Sequence, residues 1–267
     1  MRSDLHYLEL TELARRVHER EISPLEATTD QLARIETLNG QLKSYAYVMA
    51  EAALLQARAA EAEIVRGEIR GPLHGVPIAV KDLCWTQGVP TAAGTTIYKE
   101  FRPTEDATVV RKLYAAGAIL LGKLQLTEGA WAEHHPRIRP PVNPWNAAHW
   151  SGASSSGSSV ATAAGLCYGS LGSDTGGSIR FPCAANGVTG IKPTWGRVSR
   201  YGVIARTTSP AVHVCLPRYA GKCCTVPGTT CCSRCLPGAT WHSFHKLGTP
   251  STPASGDAFA PHFGQRA

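Results

Sequence analysis

The chain has 267 residues, 43% of them hydrophobic and 18% charged, enough to bury one or two cores and ordinary for a globular protein. No stretch approaches the uninterrupted apolar run needed to cross a membrane, and residues 1–6 carry no apolar core of signal-peptide length, so the expectation is a soluble cytoplasmic enzyme. The net charge of +7 would suit an anionic partner. Yet after residue 210 Arg218, Lys222, Arg234, Lys246 and Arg266 are opposed by Asp257 alone, and no element collects basic residues, which argues against nucleic acid.

In chain order, Ser23-Pro24-Leu25-Glu26 reads as a capping box with proline at the first helical position. Leu25, Leu32, Ile35 and Leu38 then recur at helical spacing and predict a helix that Asn39-Gly40 stops. A second helix is expected from about Met49 to Arg66, closed by Gly67. Residues 1–66 therefore read as helical, packed on a sheet. Over 67–210 the pattern changes to α/β alternation. Residues 76–80 and 118–121 have the continuous apolar character of buried strands, 107–116 has helical spacing, and 137–146 is a proline-rich connection. Residues 158–164 are small and suit a closely packed helix, and 168–171 predicts another strand. The fold class implied is α/β, a parallel or mixed sheet with helices against it.

Residues 211–267 break this pattern, with six prolines, six cysteines and no apolar periodicity, and are read as an irregular tail. Cys232-x-x-Cys235 has the spacing of zinc ligands, with Cys223, Cys224 and Cys231 nearby, but His242 and His245 supply only a loose second pair. A disulfide framework does not suit a cytoplasmic chain.

Three short stretches carry chemistry. Gly75-Val-Pro-Ile-Ala-Val-Lys81-Asp82 puts a lysine at the end of an apolar strand. Ser151-Gly-Ala-Ser-Ser-Ser-Gly-Ser158 and Gly172-Ser-Asp-Thr-Gly-Gly-Ser178-Ile-Arg180 put serines on glycine-rich turns. A Gly-Gly pair before a serine lets successive N–H groups converge, so Thr175, Gly176, Gly177 and Ser178 are candidates for an oxyanion hole. Taken singly, Gly-Gly-Ser is more often a plain turn, and residues 151–159 have the composition of a flexible linker, against which they run directly into the small-residue helix and the next strand. A serine nucleophile needs a base. His74, His134, His135 and His149 precede Ser178, but no motif ties any of them to it, and Lys81 can serve if burial keeps its amine neutral.

Taken together and in order, the three blocks resemble the amidase signature family, and 24 residues separate Ser154 from Ser178, the interval usual between that family's two catalytic serines. The resemblance covers about residues 5–205 and includes Gly187-Val-Thr-Gly-Ile-Lys-Pro-Thr-Trp-Gly. It implies an amidase signature fold, a mixed sheet core flanked by helices in α/β/α layers and incomplete at the C-terminus. It also implies an amide hydrolase acting on carbon–nitrogen bonds other than peptide bonds. Carried over by position, Ser178 is the nucleophile that becomes acylated. Ser154, after a cis peptide at Ala153-Ser154, is the bridging serine, and Lys81 is the proton acceptor. Asp174 and Arg180 brace the loop and Ser155 supports it from behind. Ala153 stands where a second glycine is frequent.

The resemblance implies a small-molecule amide as substrate, no metal or organic cofactor, and no direct nucleic-acid or membrane partner, with a homodimer left open. Two alternatives accompany it: the glutaminase-type subunit of a tRNA-dependent amidotransferase, and a truncated, inactive amidase-like protein. The second arises because the family continues with further helices after a segment like residues 201–205. Here residues 208–215 begin a faint echo that dissolves into Cys, Pro, Arg and Thr, as a shifted reading frame from roughly 206–211 onward would produce.

Overall fold

The computed structural model describes residues 5–204, together with the backbones of two strands at 211–216 and 230–231. All of these lie within one compact unit, Met1–Cys235. The helices are α1 (Leu10–His18), α2 (Pro24–Leu42), α3 (Ala50–Val65), α4 (Thr108–Ala115), α5 (Ser156–Ala163) and α6 (Arg180–Asn186). The strands are β1 (Tyr45–Val48), β2 (Pro77–Lys81), β3 (Ile119–Leu124), β4 (Ser170–Asp174), β5 (Thr189–Lys192), β6 (Ala211–Leu216) and β7 (Thr230–Cys231).

The strands form one mixed sheet in the order β1-β3-β2-β4-β6-β5-β7. At its centre β2 runs parallel to β3 and to β4, while β1 is antiparallel to β3 and β6 is antiparallel to β4 and β5. Every residue of β2, β3 and β4 is buried; in β2 and the first half of β3 burial on both faces shows as a continuous apolar run, whereas β4 buries Ser170, Ser173 and Asp174. Ile78, Val80 and Leu120 face one apolar cluster with Leu13, Val17, Val110 and Tyr168. Ala79, Ile119, Leu121 and Leu124 face another with Ile35, Ala53, Ala161 and Leu166. Each such Leu or Ile contributes about 1.5–3 kcal/mol by leaving water, so the parallel centre, where the site is built, is the best anchored part of the sheet.

Ser23 caps α2, its Oγ accepting from Leu25 N at 3.0 Å and Glu26 N at 3.3 Å. The hydroxyl's own hydrogen goes to Glu61 of α3 rather than into a reciprocal box with Glu26. Asn39-Gly40 does not stop α2. The helix runs on to Leu42 and ends where Lys43 turns left-handed at φ 54°, because Leu38 and Leu42 pack on the second cluster and outweigh the roughly 1 kcal/mol that a helical glycine costs. The N-terminal segment is not wholly helical either. Tyr45–Val48 forms the edge strand β1, a four-residue element too short to announce itself by periodicity.

Strand β4 lies slightly later than residues 168–171, and α5 begins two residues before the small-residue run predicts. Composition and periodicity predict no strand after residue 210, yet Ala211–Leu216 pairs with all five residues of β4. The rest of the tail, including the zinc candidates Cys223, Cys224, Cys232, Cys235, His242 and His245, lies outside the described residues, as does the side chain of Cys231.

Candidate active site

Parallel register brings the last residue of β2 beside the middle of β4. Ala79 pairs with Ser170 and Val80 with Leu171, so Lys81 comes level with the residues just before the Gly-Gly turn. From the same face, α5 docks its N-terminus against the strand ends. That approach requires Gly157, since a Cβ there would sit 2.5 Å from both Gln125 O and Ser44 O. The segment entering α5 is far from a flexible linker: Ser151, Ser154, Ser155, Ser156, Ser158 and Ser159 are all buried. Ser158 Oγ donates to Leu171 O at 3.1 Å, and Asn186 Nδ2 donates to Ser151 O at 2.8 Å. The Ala153-Ser154 peptide bond is cis.

At the meeting point Lys81 is fully buried, with Nζ 2.7 Å from Ser154 Oγ and 2.9 Å from Ser155 Oγ and Ser173 Oγ. Ser155 Oγ also donates to Ser173 O at 3.2 Å, and Ser155 N donates to Ser178 O at 3.0 Å, which seats the Ser178 backbone against the Ser154-Ser155 pair. Ser178 itself is half-buried, at the rim of the cluster. Sequence motifs single out Ser154, Ser155 and Lys81 but miss Ser173. Its only signal is its place just before Asp174, on a strand whose register with a lysine 92 residues earlier no local pattern reveals.

Asp174 closes the loop that presents Ser178. Its Oδ1 accepts from Gly177 N at 2.8 Å and Arg180 Nη2 at 3.0 Å, and its Oδ2 from Ile179 N at 3.1 Å, Arg180 N at 3.3 Å and Arg180 Nε at 3.0 Å. Burial works to raise this carboxyl, but the Arg180 guanidinium and the three amides outweigh it and hold it below its ordinary range. The same bonds reduce the set of oxyanion donors. Of the four amides expected to converge there, that of Gly177 is committed to Asp174, because the carboxylate is the stronger fixed acceptor. Thr175 N, Gly176 N and Ser178 N make no hydrogen bond among the described residues.

None of the four histidines bonds to Ser178 in this arrangement. His74 sits against Glu63 at 3.0 Å, His134 Nε2 lies 3.3 Å from Ser156 Oγ, His135 Nε2 lies 3.2 Å from Thr96 Oγ1, and His149 is exposed. Among the described residues no cluster of three or more His, Cys, Asp or Glu is placed to hold a metal, and no helix is long and apolar enough to cross a membrane. The cluster can relay a proton. A buried amine touches three hydroxyls, and a fourth serine beside them stands at a turn that offers unpaired amides.

Known proteins resemble most of this chain. The family model described as Amidase matches residues 26–226. The chain is 62% identical over 202 residues to a Mycobacterium tuberculosis protein named "Putative amidase AmiD", covering 76% of this chain and 42% of that one. It is 47% identical over 208 residues to a subunit of the glutamyl-tRNA(Gln) amidotransferase of Anaeromyxobacter, covering 77% and 42% respectively. Among solved structures, native peptide amidase from Stenotrophomonas maltophilia superposes with a TM-score of 0.73 at 32% identity, over 87% of this chain and 51% of its own. The chain thus spans 42% of the length of these curated relatives.

Proposed function

Since the chain belongs to the amidase family, we propose that it hydrolyses the C–N bond of a small-molecule carboxamide other than a peptide bond, through an acyl-enzyme on Ser178. The observation that carries this reading is the buried Lys81 Nζ within 2.9 Å of three serine hydroxyls, with Ser178 hydrogen-bonded through its backbone to the same cluster.

In this mechanism Ser178 Oγ attacks the carboxamide carbon while its proton passes to Ser154 Oγ, which gives its own to neutral Lys81 Nζ. Ser155 and Ser173 hold the amine in line. The carbonyl oxygen becomes an oxyanion facing the unpaired amides of Thr175, Gly176 and Ser178. As the C–N bond breaks, the lysine proton returns through Ser154 to the leaving nitrogen, and ammonia or an amine departs. Water then attacks the acyl-serine by the same relay, releasing the carboxylic acid and restoring Ser178. In this mechanism Asp174 and Arg180 act as braces that hold the Gly176-Gly177 turn in shape.

A second reading is favoured by the amidotransferase relative: the same chemistry frees ammonia from glutamine for a partner protein that works on a charged tRNA. Ammonia release separates the two. Turnover of simple carboxamides by the chain alone supports the first, and glutamine hydrolysis that appears only with partner and tRNA supports the second. Soluble, folded chain that releases no ammonia under either condition, and whose Ser178 resists an acylating probe, would refute both and leave an inactive amidase-like protein.

A further inference from the structure

The end of β2 and the residue after it place two adjacent charges on opposite faces of the sheet. Lys81 enters the serine cluster, whereas Asp82, 2% exposed, meets a second fully buried lysine, Lys123, on the other side. Lys123 gets there through a register break. Ile78 pairs with Leu120 but Val80 with Lys123, so β3 takes three steps where β2 takes two. The extra residue turns Lys123 to the side of Leu120 and leaves Leu124 with Ile119 and Leu121 on the other. Gly122 makes this possible, since a Cβ there would lie 2.3 Å from Tyr47 O.

The pair is wired to both halves of the proton relay. Lys123 Nζ lies 3.2 Å from Asp82 Oδ1, an ion-pair contact rather than an aligned hydrogen bond, and donates to Thr91 Oγ1 at 2.6 Å. Asp82 Oδ2 accepts from Ala92 N at 3.0 Å, and Asp82 O from Ala93 N at 2.9 Å. The segment so held packs on the next one: Gly129 N donates to Ala93 O at 2.9 Å, and a Cβ on Gly94 would sit 2.6 Å from Leu126 O. Thr127 N in turn donates to Ser154 O at 3.3 Å. Burying two charges is a poor way to gain stability, because apolar side chains of similar volume pack there as well, so the pair calls for another role.

We propose that Asp82 and Lys123 are positioning residues that fix Lys81 and Ser154 relative to each other. Asp82 does so through its place next to Lys81 in the chain, and through residues 91–94 and 126–127. The proposal rests on the reading of Lys81, Ser154 and Ser178 as the relay.

The test is the charge-neutral double variant Asp82→Asn/Lys123→Met in the full chain, checked for folding by circular dichroism. It is followed by fluorophosphonate labelling of Ser178 resolved into KI and kinact, and by amide exchange at Thr127. A misplacement of the relay is expected to lower kinact about 100-fold with KI within about 2-fold of the native value, and Thr127 N–H is expected to exchange faster. A folded double variant with native kinact overturns the proposal. If the native chain itself shows no Ser178-dependent labelling, the functional reading fails separately, and Thr127 decides: faster exchange supports the coupling to Ser154 and unchanged exchange overturns it. Should the double variant not fold, Thr91→Val, which keeps both charges, is expected to lower kinact or speed Thr127 exchange by about 10-fold; no change in either overturns the proposal.

Discussion

Replacing Asp174 by Asn changes one oxygen into a donor and little else. The favoured amide orientation keeps oxygen on the Oδ2 side, where Ile179 N, Arg180 N and Arg180 Nε donate, and turns NH₂ toward Gly177 N and Arg180 Nη2. Gly177 N–H, buried, then has no acceptor, at a cost of about 1–3 kcal/mol. Arg180 loses its carboxylate, but its side chain is 35% exposed, so that loss adds only about 1 kcal/mol. The sum, about 2–4 kcal/mol, corresponds to a fall in Tm of roughly 5–15 °C for a unit of this size. Because Asp174 is held below its ordinary range, its stabilisation is complete above the unfolded value of about 4 and is lost as pH falls through the lower folded value. The gap in Tm between native chain and variant is therefore expected to be constant above about pH 5 and to narrow below about pH 4. Calorimetry between pH 3 and 8 measures it. The freed Gly177 amide also loosens the turn beneath Ser178, and labelling of that serine should slow about 100-fold. A variant with native Tm and native labelling, or a gap in Tm that widens in acid, would refute this account of the loop.

Lys81→Met keeps the volume and removes the amine, so the fold should survive while Ser178 labelling drops by about 10²–10⁴-fold, measured by intact-mass kinetics. Gly157→Ala forces a Cβ to within 2.5 Å of two carbonyl oxygens; we expect a loss of about 1–3 kcal/mol by chemical denaturation together with slower labelling, because the same docking carries Ser154 and Ser155. Ser23→Ala removes the α2 cap far from the site and should cost about 1 kcal/mol with labelling untouched, a control that separates stability from chemistry.

Much of the site could be read in advance because its parts are local. Lys81 ends a run whose apolar character is forced by burial on both sheet faces, and Gly176, Gly177 and Ser178 form a turn whose chemistry is written in consecutive residues. Burial of Ser154 and Ser155 could not be read that way, since serine-rich composition is shared by linkers and by tightly docked helix starts, and the contacts that distinguish the two, such as Gly157 against Gln125 and Ser44, lie with residues distant in sequence. Ser173 and the Asp82–Lys123 pair depend on register between strands distant in sequence, and on one inserted residue in β3 that reverses which face Lys123 occupies. The commitment of Gly177 N to Asp174 is a choice between two acceptors, which a motif cannot express. Strands β1 and β6 escaped for a simpler reason: one is four residues at a sheet edge, and the other begins where the composition changes, with no apolar periodicity to mark it.

The central claim is that Ser178 is a nucleophile activated through Ser154 by Lys81. Intact-mass spectrometry of the folded chain incubated with a fluorophosphonate, beside Ser178→Ala and Ser154→Ala variants, tests it most directly. A single adduct on Ser178 is predicted in the native chain, none in Ser178→Ala, and labelling slowed by about 10²–10⁴-fold in Ser154→Ala. An adduct that persists in Ser178→Ala, or labelling as fast without the Ser154 hydroxyl as with it, would contradict the claim.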